Sequence, residues 1–136
     1  MLIDDDPGLR ELLKVSQVLA VVGLSADESR PSHRVASYML EHGYRLIPVN
    51  PRESEILGQK CYASLAEIPQ PVDIVVCFRK SEDIPPIAAA AIAIGAKTLW
   101  LQLDIHNETA EQQALAAGLA LVVNRCIKIE HARLMD

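Results

Sequence analysis

One hundred and thirty-six residues, half of them hydrophobic but only 4% aromatic, suffice for one domain with a core of Val, Ile, Leu and Ala. Thirteen basic against eighteen acidic side chains leave a net charge of -5, which argues against a nucleic-acid binder that relies on backbone charge. Cys61, Cys77 and Cys126 are too far apart for a zinc site or a disulfide framework, the acidic start is unlike a signal peptide, and no apolar run approaches the roughly 20 residues of a membrane span, so a cytoplasmic protein is expected.

Residues 1–16 are expected to hold an accessory helix over 7–15, with Pro7 in its first turn and Leu9, Leu12 and Leu13 on one face, packed on the edge of a sheet. Val18 to Val22 is an unbroken aliphatic run that ends at Gly23. A central parallel strand, buried on both faces, needs no alternation. Gly23 allows the chain to turn, and a polar loop leads to Pro31 and Ser32, which suit a helix start. The free N–H groups and dipole at such a start form a cradle for an anion. Residues 45–51 read as a second strand in which Pro48 weakens the ladder or makes a bulge. Residues 53–68 are irregular, with a turn at Gly58 and a Ser64–Glu67 capping box.

Residues 72–78 form a third buried strand and 81–95 a helix with acids and prolines in its first turns. Residues 98–101 are a fourth strand, 107–117 a helix, 119–123 a fifth strand, and 127–135 a last helical turn or two. Strands alternating with helices imply right-handed crossovers and a Rossmann-like α/β domain. Its five-stranded parallel sheet would carry helices on both faces. Ligands of such sheets bind beyond the carboxyl ends of the strands. That rule brings residues 23–32, 50–52, 78–81, 102–107 and 124–126 around one crevice, with Gln102 at its fourth strand.

The candidate chemistry is ligand binding. Ser25 offers a hydroxyl and an N–H beside the helix start, while Arg30, Arg52 and Arg79 can each meet phosphate with a fork of donors. Ser32 and His33 stand in the first turn of that helix. A dinucleotide fingerprint would need three glycines and an acidic residue after the second strand. Only Gly23 is present, and the second strand ends Val49-Asn50-Pro51-Arg52. His42 reads as a helix-end residue favoured by the dipole, and His106 and His131 lack a spaced acidic or cysteine partner. Trp100, Cys61 and Cys77 read as core, and Cys126 as a packed thiol near the crevice.

The ordered set Val21-Val22-Gly23-Leu24-Ser25, Pro48-Val49-Asn50-Pro51, Ile56-Leu57-Gly58, Val72-Asp73-Ile74-Val75, Phe78-Arg79, 97–102 and Asn124-Arg125-Cys126 resembles the small bacterial CoA-binding proteins. These are similar to the N-terminal CoA-binding domain of the succinyl-CoA synthetase α subunit. The resemblance covers roughly residues 15 to 132 and implies coenzyme A, or an acyl-CoA, as the small-molecule ligand. It sets Gly23, Leu24, Ser25 and the helix start against phosphate, Asn50 and Pro51 near the adenosine end, and Phe78, Arg79 and Ile84 along the ligand's flank. Asp104 stands where the family pattern leads one to expect glycine, and Asp27-Glu28 adds negative charge to the loop. Succinyl-CoA synthetases use a phosphorylated histidine from a further domain and a nucleotide-binding partner subunit. Neither has a counterpart here, so no catalysis by this chain alone is expected. An NAD(P)-dependent oxidoreductase and a scaffold without ligand are the competing readings. Pairing as a homodimer is compatible with the size of the domain, though no stretch marks an interface; neither nucleic acid nor membrane is an expected partner.

Overall fold

The computed structural model describes residues 1–135. In chain order it contains α1 (Asp6–Val15), β1 (Val18–Val22), α2 (Pro31–Glu41), β2 (Arg45–Val49), β3 (Glu55–Ile56), β4 (Gln59–Lys60), β5 (Ile74–Cys77), α3 (Ile84–Ala93), β6 (Thr98–Leu101), α4 (Glu108–Ala116), β7 (Ala120–Val122) and α5 (Ile127–Leu134). Five strands form one parallel sheet in the order β2-β1-β5-β6-β7, while β3 and β4 make a separate antiparallel hairpin. The five-stranded α/β architecture expected from the sequence is therefore the one observed.

Alternate residues of the aliphatic strands go to opposite faces, as the pleat requires. Leu19, Val21, Ile74, Val76, Trp100 and Val122 share one core with α1, α2 and α5. Ala20, Val75, Cys77, Leu99, Leu101 and Leu121 share the other with α3 and α4. Helix α2 and α5 use larger side chains such as Val35, Met39 and Leu134, whereas α3 and α4 present Ala88, Ala91, Ala110 and Ala114. Small residues let these two helices lie close to the sheet and to each other.

Several single residues hold the register. The Asp73 carboxylate accepts from Gln17 N (2.8 Å) and Val18 N (2.9 Å), which ties the start of β1 to the start of β5. Trp100, fully buried, donates its indole N–H to Arg125 O at 2.7 Å. Arg133 makes a bidentate pair with Asp6 (2.7 and 2.9 Å) and also reaches Glu130 at 2.8 Å, joining α5 to α1. The Thr98 hydroxyl, 1% exposed, has no hydrogen-bond partner among the described residues.

Three expectations change in detail. Helix α1 does not flank the sheet; Leu9 and Leu13 bury against its face, and the edge strand β7 is bordered instead by residues 1–3 through Leu2 and Ile3. Pro48 forms no bulge: it stays in register with Val21, and its outward-facing side belongs to the sheet's edge, where only its carbonyl is used, by Tyr62 N. Residues 55–60 form the β3–β4 hairpin, and Ser64 donates to the Glu67 carboxylate (3.2 Å) at a single 3₁₀ turn. Strands of two residues carry too little periodicity to be read from sequence.

Candidate functional site

The chain leaves β1 to form β2 on one side and returns to form β5 on the other, so the strand order reverses between β1 and β5. A cavity of about 730 Å³ opens beyond the strand ends at this point. Val22 to Ser25 and Arg30 form one wall, Val49 to Arg52 a second, and Arg79, Glu82, Asp83, Pro86 and Ile87 a third. A smaller cavity of about 300 Å³ adjoins it, lined by Gly23, Ser25, Arg30, Pro31, Ser32 and Phe78.

Gly23 sits at φ +85, and a Cβ built on it would lie 2.8 Å from Phe78 O and 2.9 Å from Arg79 Cδ. The requirement for glycine thus comes from the chain itself. The β1 turn abuts the end of β5, and the Arg79 stem crosses over it. Arg79 then reaches along the wall to Asp83, 3.7 Å away, with both side chains about half exposed. A pair this open to water is weak and leaves the guanidinium available.

The loop from Ser25 to α2 is organised by its own polar groups. Ser32 Oγ, buried in the first turn, accepts from Ser25 N at 3.0 Å, and Ser25 Oγ accepts from Asp27 N at 3.1 Å. Asp27 accepts from both Ser29 N (2.9 Å) and Ser29 Oγ (2.7 Å), and these bonds hold its carboxyl below the usual range. The two acidic residues of this loop stay out of the cavity lining: Asp27 is satisfied locally and Glu28 lines a different groove. Among the described residues no side chain caps the start of α2, where Pro31 occupies the first turn, so the positive end of the helix is left to solvent or ligand.

Asn50 joins two walls. Its amide donates to Leu24 O at 3.0 Å and its carbonyl oxygen accepts from Arg52 N at 2.8 Å. Both ends of the carboxamide are used, so Asn50 shapes the cavity by clamping the β1 and β2 loops together. Arg30 and Arg52 are exposed and line the cavity, and neither forms an ion pair among the described residues.

The structure thus gathers Gly23, Leu24, Ser25, Arg30, Asn50, Pro51, Arg52 and Arg79 around the larger cavity, and Ser32 and Phe78 around the smaller one. Three expected residues lie elsewhere. Ile84, the first residue of α3, is fully buried in the core, and the apolar wall comes from Pro86 and Ile87. Gln102, 4% exposed, turns inward so that its Oε1 accepts from Ile127 N at 3.0 Å at the start of α5. His33 faces the groove on the far side of the loop, with Glu28 and Leu57. Asp104 is exposed at φ +65, a conformation that explains an expectation of glycine, and borders neither cavity. Glu82, Asp83 and Ala63 line the cavity without having been singled out. The sequence places the crevice after β5, but the 3₁₀ turn Ser81–Asp83 brings one more turn into the wall.

Little here could act as a nucleophile or metal ligand. Burial pushes the Cys77 thiol far above its ordinary value; Cys61 is raised by burial and by Glu53 and Glu55. Cys126 is 9% exposed and packs in the α1–α2–α5 core. Among the described residues no three His, Cys, Asp or Glu side chains converge as a metal site would need.

Known proteins resemble this chain in sequence and in fold. An uncharacterized protein of Bacillus subtilis (strain 168), YneT, is 42% identical over 124 residues, 91% of this chain and 92% of its own length. ADP-forming acetate–CoA ligase II of Archaeoglobus fulgidus is 31% identical over 110 residues; the match takes in 79% of this chain but only 16% of the ligase. A solved structure of a hypothetical protein from Pyrococcus horikoshii OT3 superposes with a TM-score of 0.95 at 40% identity, covering 98% of this chain and 94% of the other. One from Thermus thermophilus gives 0.93 at 36% identity, covering 97% and 100%. Residues 17–132 match the CoA binding domain family, and the chain belongs to it.

Proposed function

We propose that this protein binds coenzyme A or an acyl-CoA in the cavity between β1, β2 and α3. The observation that carries this reading is a pair of arginines that have no carboxylate partner among the described residues, Arg30 beside the uncapped start of α2 and Arg52 after β2. CoA carries a pyrophosphate and a separate 3′-phosphate, so it needs two cationic positions. A phosphate at the helix start would meet Arg30 and the free helix dipole. Arg52 would meet the 3′-phosphate, and Val22, Val49 and Ile87 would receive the adenine. A dinucleotide fits less well: one glycine serves the β1 turn, and Asn50, where a ribose-binding carboxylate is needed, already holds Leu24 and Arg52. The chain's function is binding rather than turnover, and any reaction at the thiol end would be completed by another protein.

Calorimetric titration with CoA, dephospho-CoA, NAD and NADP tests the reading. CoA should bind most tightly. Loss of the 3′-phosphate removes a charge-assisted contact worth about 1.5–3 kcal/mol, a weakening of roughly ten- to a hundredfold. Arg52→Ala should erase most of that difference. Tighter binding of NADP than of CoA would refute the assignment.

A further inference from the structure

The Ile56-Leu57-Gly58 tripeptide belongs to none of the walls just described, yet it holds an unusual backbone. Pairing of Glu55 with Lys60 and Ile56 with Gln59 leaves Leu57 and Gly58 as a two-residue turn, with φ of +55 and +72. Such turns require positive φ at both positions and favour Asn-Gly or Asp-Gly. A leucine in the left-handed region is disfavoured, and its persistence needs compensation from elsewhere.

The compensation is visible at the two ends of the hairpin. Its base is joined to β2: Tyr62 N donates to Pro48 O (3.0 Å) and Asn50 N to Tyr62 O (2.9 Å). At its tip the Leu57 side chain, half-buried, packs on the core to which α2 contributes Val35, Ala36 and Met39. It also shares a groove of about 490 Å³ with Glu28, from the loop, and with His33, Arg34 and Tyr38 of α2. The hairpin therefore runs from β2, which leads into Asn50 and Arg52, to α2, which begins at Pro31 just after Arg30.

We infer that the β3–β4 hairpin is a strut that fixes the spacing between these two cationic positions, with Leu57 as its positioning residue. The inference rests on the CoA reading for its functional meaning, but its structural content does not. A ligand with two separate phosphates is recognised by distance as well as by charge, and a loop already held at that distance loses less entropy on binding. Asn50 clamps the two loops at the cavity; Leu57 braces the same pair from behind.

Two variants test this, Leu57→Asn and Leu57→Met. Asparagine suits the turn but removes the apolar contact, while methionine keeps the contact and the backbone strain. Amide hydrogen exchange is followed at residues 24–32 and in β5 of the ligand-free protein, and CoA affinity is measured at fixed salt. Leu57→Asn should speed exchange at 24–32 while β5 keeps its protection, and should weaken CoA roughly three- to tenfold, the range for losing one pre-organising side chain. Leu57→Met should behave as wild type in both. Unchanged exchange at 24–32 in Leu57→Asn would overturn the strut, as would a matching loss of protection in β5, or a Leu57→Met that loosens the loop equally. If the loop loosens as expected but neither wild type nor variant binds CoA, the strut stands and the ligand assignment falls.

Discussion

Replacing Gly23 with alanine adds one methyl group at the point where the β1 turn meets the end of β5. The added Cβ would lie 2.8 Å from Phe78 O, 3.1 Å from Phe78 C and 2.9 Å from Arg79 Cδ. The arginine stem can swing away, but the Phe78 carbonyl cannot move freely, because Phe78 N donates to Val22 O at 2.9 Å across the same seam. The left-handed backbone at φ +85 costs an alanine about 1–2 kcal/mol. Forcing apart a packed contact adds about 1–3 kcal/mol. The sum, about 2–5 kcal/mol, corresponds to a fall in melting temperature on the order of 10 °C for a domain of this size. Urea denaturation monitored by circular dichroism gives the stability directly. A titration with CoA below the transition should show weakened binding, since the seam can open only by shifting the loop that bears Ser25. A Gly23→Ala protein as stable as wild type would refute the argument that the chain's own packing demands glycine here.

Two further outcomes concern the cores. His131 is 7% exposed, its Nδ1 is 2.8 Å from the Tyr38 hydroxyl, and its ring is 5.2 Å from that of His42. Burial and then the neighbouring His42 lower its pKa from the ordinary 6.5; Lys14 lines the same recess, Lys128 lies over Tyr38, and Glu130 is turned to Arg125 and Arg133. Because the unfolded chain takes up this proton more readily, the contribution of His131 is complete above pH 6.5 and is lost as the pH falls through the lower folded value. Melting curves recorded on acidification below pH 6.5 should fall more steeply for wild type than for His131→Phe, and parallel curves would contradict the mechanism. Thr98→Val removes a buried hydroxyl without a partner, so it should leave stability unchanged or raise it by about 1 kcal/mol. A loss of that size in chemical denaturation would mean that the hydroxyl is engaged.

The parts of the molecule that could be read from sequence are those with long, uniform signals. The runs Val18 to Val22 and Ile74 to Cys77 are apolar throughout because both their faces are covered, and Gly23 marks where the first must turn. The cavity walls at 23–25, 50–52 and 79 followed from the rule that strand ends line the crevice. What could not be read depended on which way a side chain points. Gln102 is at a strand end, but its amide serves the start of α5; Ile84 and Ile87 are one turn apart, and only the latter reaches the cavity. Asn50 looked like a ligand contact, whereas its hydrogen bonds show a clamp. The β3–β4 hairpin was hidden because two paired residues on each side give no alternation to detect.

The two margins of the sheet have a bearing on how the protein survives at high concentration. Its inner strands are short, largely apolar and uncharged, which is the composition of segments that stack into fibrils when exposed. Parallel strands with open backbone groups at their flanks would invite another chain to continue the ladder. Here the β7 flank is occupied by residues 1–3, with Leu121 N bonded to Met1 O and Ile3 N to Leu121 O. The β2 flank contains a proline, which has no N–H to offer, and beyond it Tyr62 takes the bonds at Pro48 and Asn50. Growth of the sheet by strand addition is thus hindered at both margins, because few free backbone groups are left for another chain to pair with.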